Sequence, residues 1–266
     1  MARSAAHTLA AVMLDRLGGA VGTPTPTKED RDAAIVLLTS TVLLLVFAYW
    51  GRPSFYNRSG LIGWVGEING GDFAELADAG AYMFWGLSSL LWRVGLPLVV
   101  GVWVLKRQPA ELGFRLRGIA QHLPLYGLFY LVMLPILIWV SSFETFLDYY
   151  PFYDRAAEGG AGFWVYEVGY ALQFVGVEAF FRGFMVFGLA PRMGLLAIPV
   201  MTIPYTMIHF AKPMPEATAA IVAGLALGWL ALRSKSFVPG VFLHVAVALT
   251  MDLLVLGRTG GLGNIF

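Results

Sequence analysis

The chain has 266 residues, of which 58% are apolar and 13% charged, and its net charge is +1. Soluble domains carry about 25% charged residues, so this chain cannot coat a fully water-facing surface, and we expect lipid to be the solvent for much of it. The small net charge gives no indication of a nucleic-acid partner. The absence of cysteine excludes disulfides, thiolate metal sites and a cysteine nucleophile.

Residues 1–32 precede the first long apolar run and carry four basic and four acidic residues. Their composition is not that of a secretory signal peptide, because they lack a long apolar stretch. We predict a cytoplasmic N-terminal segment here, with a short amphipathic helix around Leu9–Leu17 as the alternative. Residues 33–266 are predicted to form a single transmembrane domain, since no connection is long enough to be a separate one.

Seven apolar stretches approach the roughly 20 residues that a helix needs to cross the hydrocarbon core. Helices are expected because unpaired backbone groups are costly in lipid, and the runs are too long and unbroken for barrel strands. The predicted fold is therefore an all-α polytopic membrane protein with about seven transmembrane helices. The predicted spans are Ala33–Trp50, Ala81–Leu105, Leu123–Ser141, Phe163–Leu189, Met193–His209, Ala217–Leu232 and Phe237–Leu256.

The distribution of Lys and Arg between the connections predicts the orientation. Lys106–Arg117 holds four basic residues and one acidic one, and Arg233–Lys235 holds two basic residues and no acid. Gly51–Gly80 and Ser142–Gly162 each hold four acidic residues and at most two basic ones. We therefore expect a multi-pass protein of the cell membrane with its N-terminus in the cytoplasm and its C-terminus outside.

Few charged residues lie within the predicted spans, and each suggests function because burying a charge in the bilayer is costly. Glu178 and Arg182 are four residues apart, a spacing that stacks two side chains on one helix face and allows them to pair. A structural ion pair is the alternative for these two residues. The charged and histidine positions within the spans are Arg93, Glu167, Glu178, Arg182, His209, His244 and Asp252.

Two histidines on different spans strengthen the case for a chemical site. Tyr205 and His209 share a helix face, and Asp252 lies two turns beyond His244 on its own face. Glu216 follows His209 closely in sequence, although its place in the first turn of a helix is equally typical of a carboxylate at the positive end of the helix dipole.

The order Glu-x-x-x-Arg-Gly, aromatic-x-x-x-His and a further His on a later span resembles the CPBP family of intramembrane proteases. This family includes type II CAAX prenyl endopeptidases and lysostaphin-resistance-like proteins. The resemblance covers about residues 105–256, including Glu111-Leu-Gly-Phe-Arg-Leu-Arg-Gly118, and it implies a CPBP-type helical core there. It also implies a glutamate that activates water and two histidines that position the water or stabilise the oxyanion.

Carried onto this chain, the resemblance implies Glu178, His209 and His244 as catalytic residues. Arg182 falls on the family arginine and Tyr205 on its aromatic position, with Glu216 and Asp252 as further supporting candidates. Two positions depart from the family pattern. The first glutamate of the family's Glu-Glu pair, usually assigned as the base, is Val177 here, and the amide or carboxylate four residues after the last histidine is Ala248. The segment from His209 to Glu216 resembles the corresponding segment of a bacterial subgroup that shares such departures.

The main hypothesis is an intramembrane endopeptidase of glutamic type, with Glu178 or Glu216 as base, that cleaves a membrane-anchored protein or peptide. A zinc ion held by Glu178, His209 and His244 is a variant that we do not favour, because Arg182 would repel a cation beside the glutamate. We therefore expect no cofactor, and membrane lipid and the substrate as the partners. The alternatives are a non-catalytic membrane scaffold or immunity protein and a small transporter.

Overall fold

The computed structural model describes residues 12, 13, 16, 25–68 and 74–265, and every regular element within these ranges is helical. This confirms the predicted all-α class. The predicted N-terminal segment, including most of Leu9–Leu17, lies outside the described residues. The main helices are α1 (Lys28–Trp50), α2 (Pro53–Arg58), α3 (Leu61–Ile68), α4 (Ala74–Ser89), α5 (Leu123–Val140), α6 (Glu144–Leu147), α7 (Gly160–Glu178), α8 (Ala197–Met207), α9 (Met214–Ser234) and α10 (Val238–Thr259).

Two of these helices continue beyond their α-helical part through π-helical turns. The helix that starts as α4 runs on to Val104, and α7 continues as a π-helix over Ala179–Phe187 and ends as an α-helix over Gly188–Met193. Turns of the π type are rare and are often found at functional sites. The one after α7 begins directly behind Glu178, so the residue predicted as a base lies where the helix geometry changes.

Six helical stretches in the described part of the chain are long and apolar enough to cross a membrane. This agrees with the expected polytopic fold of about seven spans, with the difference that the fourth and fifth predicted spans fall within one 48-residue helical stretch, Gly160–Met207. The chain turns at Gly194, which has a positive φ of 55°, and α8 then has only 11 residues. At 1.5 Å per residue α8 is about 16 Å long, roughly half of the hydrocarbon core.

Helix α8 runs back along α9 and packs closely against it. A Cβ atom at Gly224 would lie 2.7 Å from Thr202 Cγ2, and one at Gly228 would lie 2.8 Å from Ile198 Cγ2. The two glycines four residues apart therefore let the helices approach, as small residues do in membrane proteins. Ile198, near the start of α8, lies opposite Gly228, and Thr202 lies opposite Gly224. The end of α8 and His209 therefore lie towards the start of α9.

Contacts between the helix ends define two sides of the molecule. On the side where α1 begins, Asp32 lies 3.9 Å from Arg107, and Asp30 forms an ion pair with Arg192. On the other side, Arg258 donates to the carbonyl of Ile138 at 2.7 Å, which joins the end of α10 to the end of α5. The long connections after α1 and α5 thus share a side with the C-terminus.

Candidate active site

Glu178 lies at the end of α7 and is completely buried. Its Oε1 atom is 3.0 Å from Arg182 Nη1 and 2.9 Å from His244 Nδ1. Because Arg182 donates to this oxygen, we assign Glu178 as the carboxylate and His244 Nδ1 as a second donor to it. The predicted Glu178–Arg182 pair is therefore formed, and a histidine 66 residues along the chain joins it.

The partner of His244 is thus Glu178, and this contact assigns the free nitrogen of the ring. In a neutral imidazole one nitrogen donates and the other accepts, so Nε2 of His244 carries a lone pair. The ring stacks on Phe174 with its centroid 4.3 Å away. This packing and the Glu178 hydrogen bond fix the orientation of the imidazole.

Arg182 links this pair to the other predicted motif. Its guanidinium carbon lies 4.1 Å from the centre of the Tyr205 ring, a cation–π contact in a fully buried setting. The carbonyl of Tyr205 in turn accepts a hydrogen bond of 2.8 Å from Nδ1 of His209. Since a carbonyl cannot donate, Nε2 of neutral His209 is also an acceptor. Direct contacts therefore run from His244 through Glu178, Arg182 and Tyr205 to His209.

A cavity of about 320 Å³, here called the central cavity, is lined by both histidines. Its wall includes Val177 but not Glu178, which is shielded from it. A second cavity of about 200 Å³, the side cavity, lies between α5, α9 and α10 and has a mostly apolar lining. His244 lines both cavities, as do Tyr170, Phe174 and Lys212, so it stands at their junction.

A small residue on α10 makes room for the buried carboxylate. A Cβ atom at Gly240 would lie 2.7 Å from Glu178 Oε2. This oxygen is buried and has no hydrogen-bond partner among the described residues. Gly240 therefore allows α10 to approach α7 closely enough for His244 to reach Glu178.

Glu216 belongs to a separate cluster on the wall of the side cavity. Its carboxylate is 2.6 Å from Lys212 Nζ and accepts a hydrogen bond of 2.6 Å from the Tyr150 hydroxyl. Burial raises the pKa of Tyr150 well above its usual range, so the phenol keeps its proton and remains a donor. The structure thus supplies Glu216 with a cation and a donor, but with no contact to Glu178.

Asp252 does not take the place of the missing partner of His244. It is fully buried and accepts a hydrogen bond of 2.6 Å from Tyr166. Two turns of helix separate it from His244, whose Nδ1 is occupied by Glu178. This second cluster joins α7 to α10 and lies outside the lining of both cavities.

Sequence reasoning did not assign several residues of the central cavity to the site. Arg93, from the turn after α4, was noted only as a charge within a span, and Trp85 and Gln173 carried no signal at all. Trp85 and Arg93 lie on the helical stretch that starts as α4, and Gln173 comes from α7. The charge of Arg93 in an apolar run was the one available indication.

The fold and this site define a polytopic helical membrane protein with a buried Glu–Arg–His cluster beside an internal cavity. The family model described as type II CAAX prenyl endopeptidase Rce1-like matches residues 160–250, about a third of the chain. The match confirms the CPBP resemblance over the region that holds every predicted site residue except Asp252. It is a match to a family of membrane proteases. No curated protein and no solved structure matched the chain.

Proposed function

We propose that this protein is an intramembrane endopeptidase that cleaves a membrane-anchored protein or peptide at the junction of the two cavities. The proposal rests on the 2.9 Å contact between Glu178 and His244. His244 also lines both cavities, so the residue that Glu178 holds in place is within reach of a substrate. The match to a membrane protease family supports the same class of reaction. We further propose that the protein resides in the cell membrane with a cytoplasmic N-terminus.

In this proposal His244 is the general base and Glu178 positions it. Glu178 is completely buried and does not line the central cavity, so water there reaches the Nε2 atom of His244. A water molecule gives a proton to Nε2 while its oxygen attacks the peptide carbonyl carbon, and the Glu178 carboxylate stabilises the imidazolium that forms. The same proton then passes to the leaving amide nitrogen, and the C–N bond breaks. This proposal differs from the expectation that Glu178 takes the proton from water, because it gives that role to His244.

His209 is proposed to hold the attacking water from a second direction. Its Nδ1 is occupied by the Tyr205 carbonyl, so its neutral ring offers Nε2 as an acceptor for the other proton of the water. Positive charge for the developing oxyanion is available on the wall of the same cavity, from Lys212.

The zinc variant needs three ligands that converge on one point. No group of three His, Asp or Glu residues with such an arrangement was found in the described part of the chain. Glu178 also carries an arginine 3.0 Å from its Oε1 atom. We therefore keep metal-independent hydrolysis as the proposal and test it with a chelator.

A non-catalytic scaffold is the second candidate, and one observation favours it. Val177 stands where the family carries its first glutamate, and its side chain lines the central cavity beside both histidines. A carboxylate at this position would face the cavity directly, and valine cannot transfer a proton. A scaffold would retain the cavity without the proton transfer.

The test is cleavage of membrane-anchored peptide substrates by the purified full-length protein in detergent, with and without chelator. We expect activity that survives the chelator and falls at least about a hundredfold in His244→Ala, as loss of a general base does. The activity of the Glu178→Gln variant is expected to fall as well, because the substitution changes the partner of His244. Inactive wild-type protein combined with an active Val177→Glu variant would identify the scaffold instead.

A further inference from the structure

A buried arginine without a carboxylate partner lines the central cavity. Arg93 is 96% buried, and neither its Nε nor its Nη1 atom has a hydrogen-bond partner in the described structure. Its guanidinium carbon lies 3.6 Å from the centre of the Phe47 ring, which holds the group in place without neutralising it. A buried charge is normally paired, so an uncompensated guanidinium indicates that its partner is brought by a ligand.

The surroundings of Arg93 reinforce this need for an anion. Arg52 and Lys212 also line the central cavity, and among its lining residues in the described structure there is no Asp or Glu. Lys212 is paired with Glu216 at 2.6 Å, whereas Arg52 adds to the positive potential that Arg93 experiences. An arginine with free donors in a desolvated cavity is suited to bidentate recognition of a carboxylate.

Two further polar atoms at the cavity have no partner. Trp85 Nε1 and Gln173 Oε1 are buried without a hydrogen bond among the described residues, and both side chains line the central cavity with Arg93. An indole N–H donates and an amide oxygen accepts, so together these atoms match the donors and acceptors of a peptide. The cavity therefore combines a cation with groups that would pair with peptide backbone.

We infer that the central cavity binds a carboxylate of the substrate through Arg93, while the apolar part of the substrate occupies the side cavity. The direction in which the substrate lies rests on the proposed function, which places the cleaved bond beside His244 at the junction of the two cavities. It makes Arg93 a specificity-determining residue, and it defines the substrate as a peptide with an apolar side and an anionic side. The carboxylate is either the C-terminus of the peptide or an acidic side chain.

The test measures binding separately from cleavage, by fluorescence anisotropy of labelled peptides with the full-length His244→Ala protein in detergent. Three apolar probe peptides of otherwise identical sequence are used: a free C-terminal acid, a C-terminal amide, and an amide with one added Asp. We expect at least one acidic peptide to bind about tenfold or more tightly than the plain amide, and Arg93→Met to abolish the difference. Arg93→Lys should retain part of it, and Arg58→Met, at an exposed position outside the cavity, should leave it unchanged.

Which acidic peptide binds tightly identifies the source of the carboxylate. Equal binding of all three peptides, or a preference that survives Arg93→Met, overturns the inference. If the preference depends on Arg93 but wild-type protein cleaves none of the peptides, the carboxylate subsite stands and the proposed peptidase function fails.

A thermal unfolding experiment without peptide provides the second measurement. Arg93→Met should keep or raise the unfolding temperature if Arg93 awaits a ligand, and a clear fall would make it a structural residue.

Discussion

At the scale of single residues, the position of the Glu178 carboxylate is determined from several directions. Oε1 accepts hydrogen bonds from Arg182 and His244, and Oε2 lies against the backbone of α10 at Gly240. The side chain is completely buried and has no free space on the side of Gly240. A small displacement of this carboxylate would therefore also displace His244.

We predict that Gly240→Ala damages the site without preventing folding. The new methyl group would lie 2.7 Å from Glu178 Oε2, so the carboxylate or α10 must shift. A misplacement of about 1 Å in a catalytic group can reduce the rate about a hundredfold, and overpacking typically costs about 1–3 kcal/mol of unfolding free energy. The expected result is a fall in kcat and in the unfolding temperature, measured on the purified protein.

Gly257→Ala is the matched control, because it lies on the same helix and its Cβ would meet only Leu262 at 3.7 Å, an ordinary contact. It should behave like the wild type in both measurements. If Gly240→Ala is equally harmless, the close approach of α10 to Glu178 is not important for the site.

Some contacts of the site could be predicted from the sequence and others could not. The Glu178–Arg182 pair was predictable because both residues lie on one helix and helical spacing determines their contact. The family resemblance grouped His244 with Glu178 in one site, but helix periodicity could not predict this contact across 66 residues. The same limit explains Asp252, which shares a helix face with His244 but pairs with Tyr166 from another helix.

At the scale of the helices, the closest packing joins α4 to α7 through glycine. A Cβ atom at Gly169 would overlap the carbonyl oxygen of Tyr82 and lie 2.6 Å from the backbone nitrogen of Met83. These atoms belong to the backbone of α4 and cannot rotate away. The approach of two backbones through small residues stabilises helix pairs in membranes, where the hydrophobic effect does not drive association.

We predict that Gly169→Ala destabilises the protein by about 1–3 kcal/mol, the usual cost of overpacking, or more. The readout is the unfolding temperature of the purified protein in detergent. Gly127→Ala on α5 is the control, because nothing lies within 4 Å of its Cβ position. There, alanine should have no adverse effect, since it favours helix more than glycine does. Equal behaviour of the two variants would contradict the tight α4–α7 contact.

The helices themselves were largely predictable, because runs of apolar residues long enough to span lipid are a strong signal. The exception was α8, where the length of the apolar run between Met193 and His209 suggested a full crossing. The structure uses part of this run for the turn at Gly194, and Pro204 lies within the short helix that remains. Composition alone does not distinguish a short helix of this kind from one that spans the bilayer.

At the scale of the whole molecule, the charges of the two sides follow the helix ends. The basic connection after the α4 stretch lies on the side where α1 begins, and Arg107 from it approaches Asp32. The acidic connections after α1 and α5 lie on the opposite side together with the C-terminus, where Asn264 donates to the carbonyl of Ala157 at 2.8 Å. The excess of Lys and Arg on one side is what positive-inside orientation requires.

The absence of cysteine allows this orientation to be tested without background labelling. We predict that Asn57→Cys, on α2, reacts with a membrane-impermeant maleimide in intact bacterial cells, whereas Arg117→Cys reacts only after permeabilisation. Both positions are exposed and lie on opposite sides of the molecule. The reverse pattern would place the N-terminus outside, and labelling of both residues in intact cells would contradict the separation of the two sides. Because the central cavity is lined by Arg52, close to Asn57, the same experiment identifies the side of the membrane that the cavity faces.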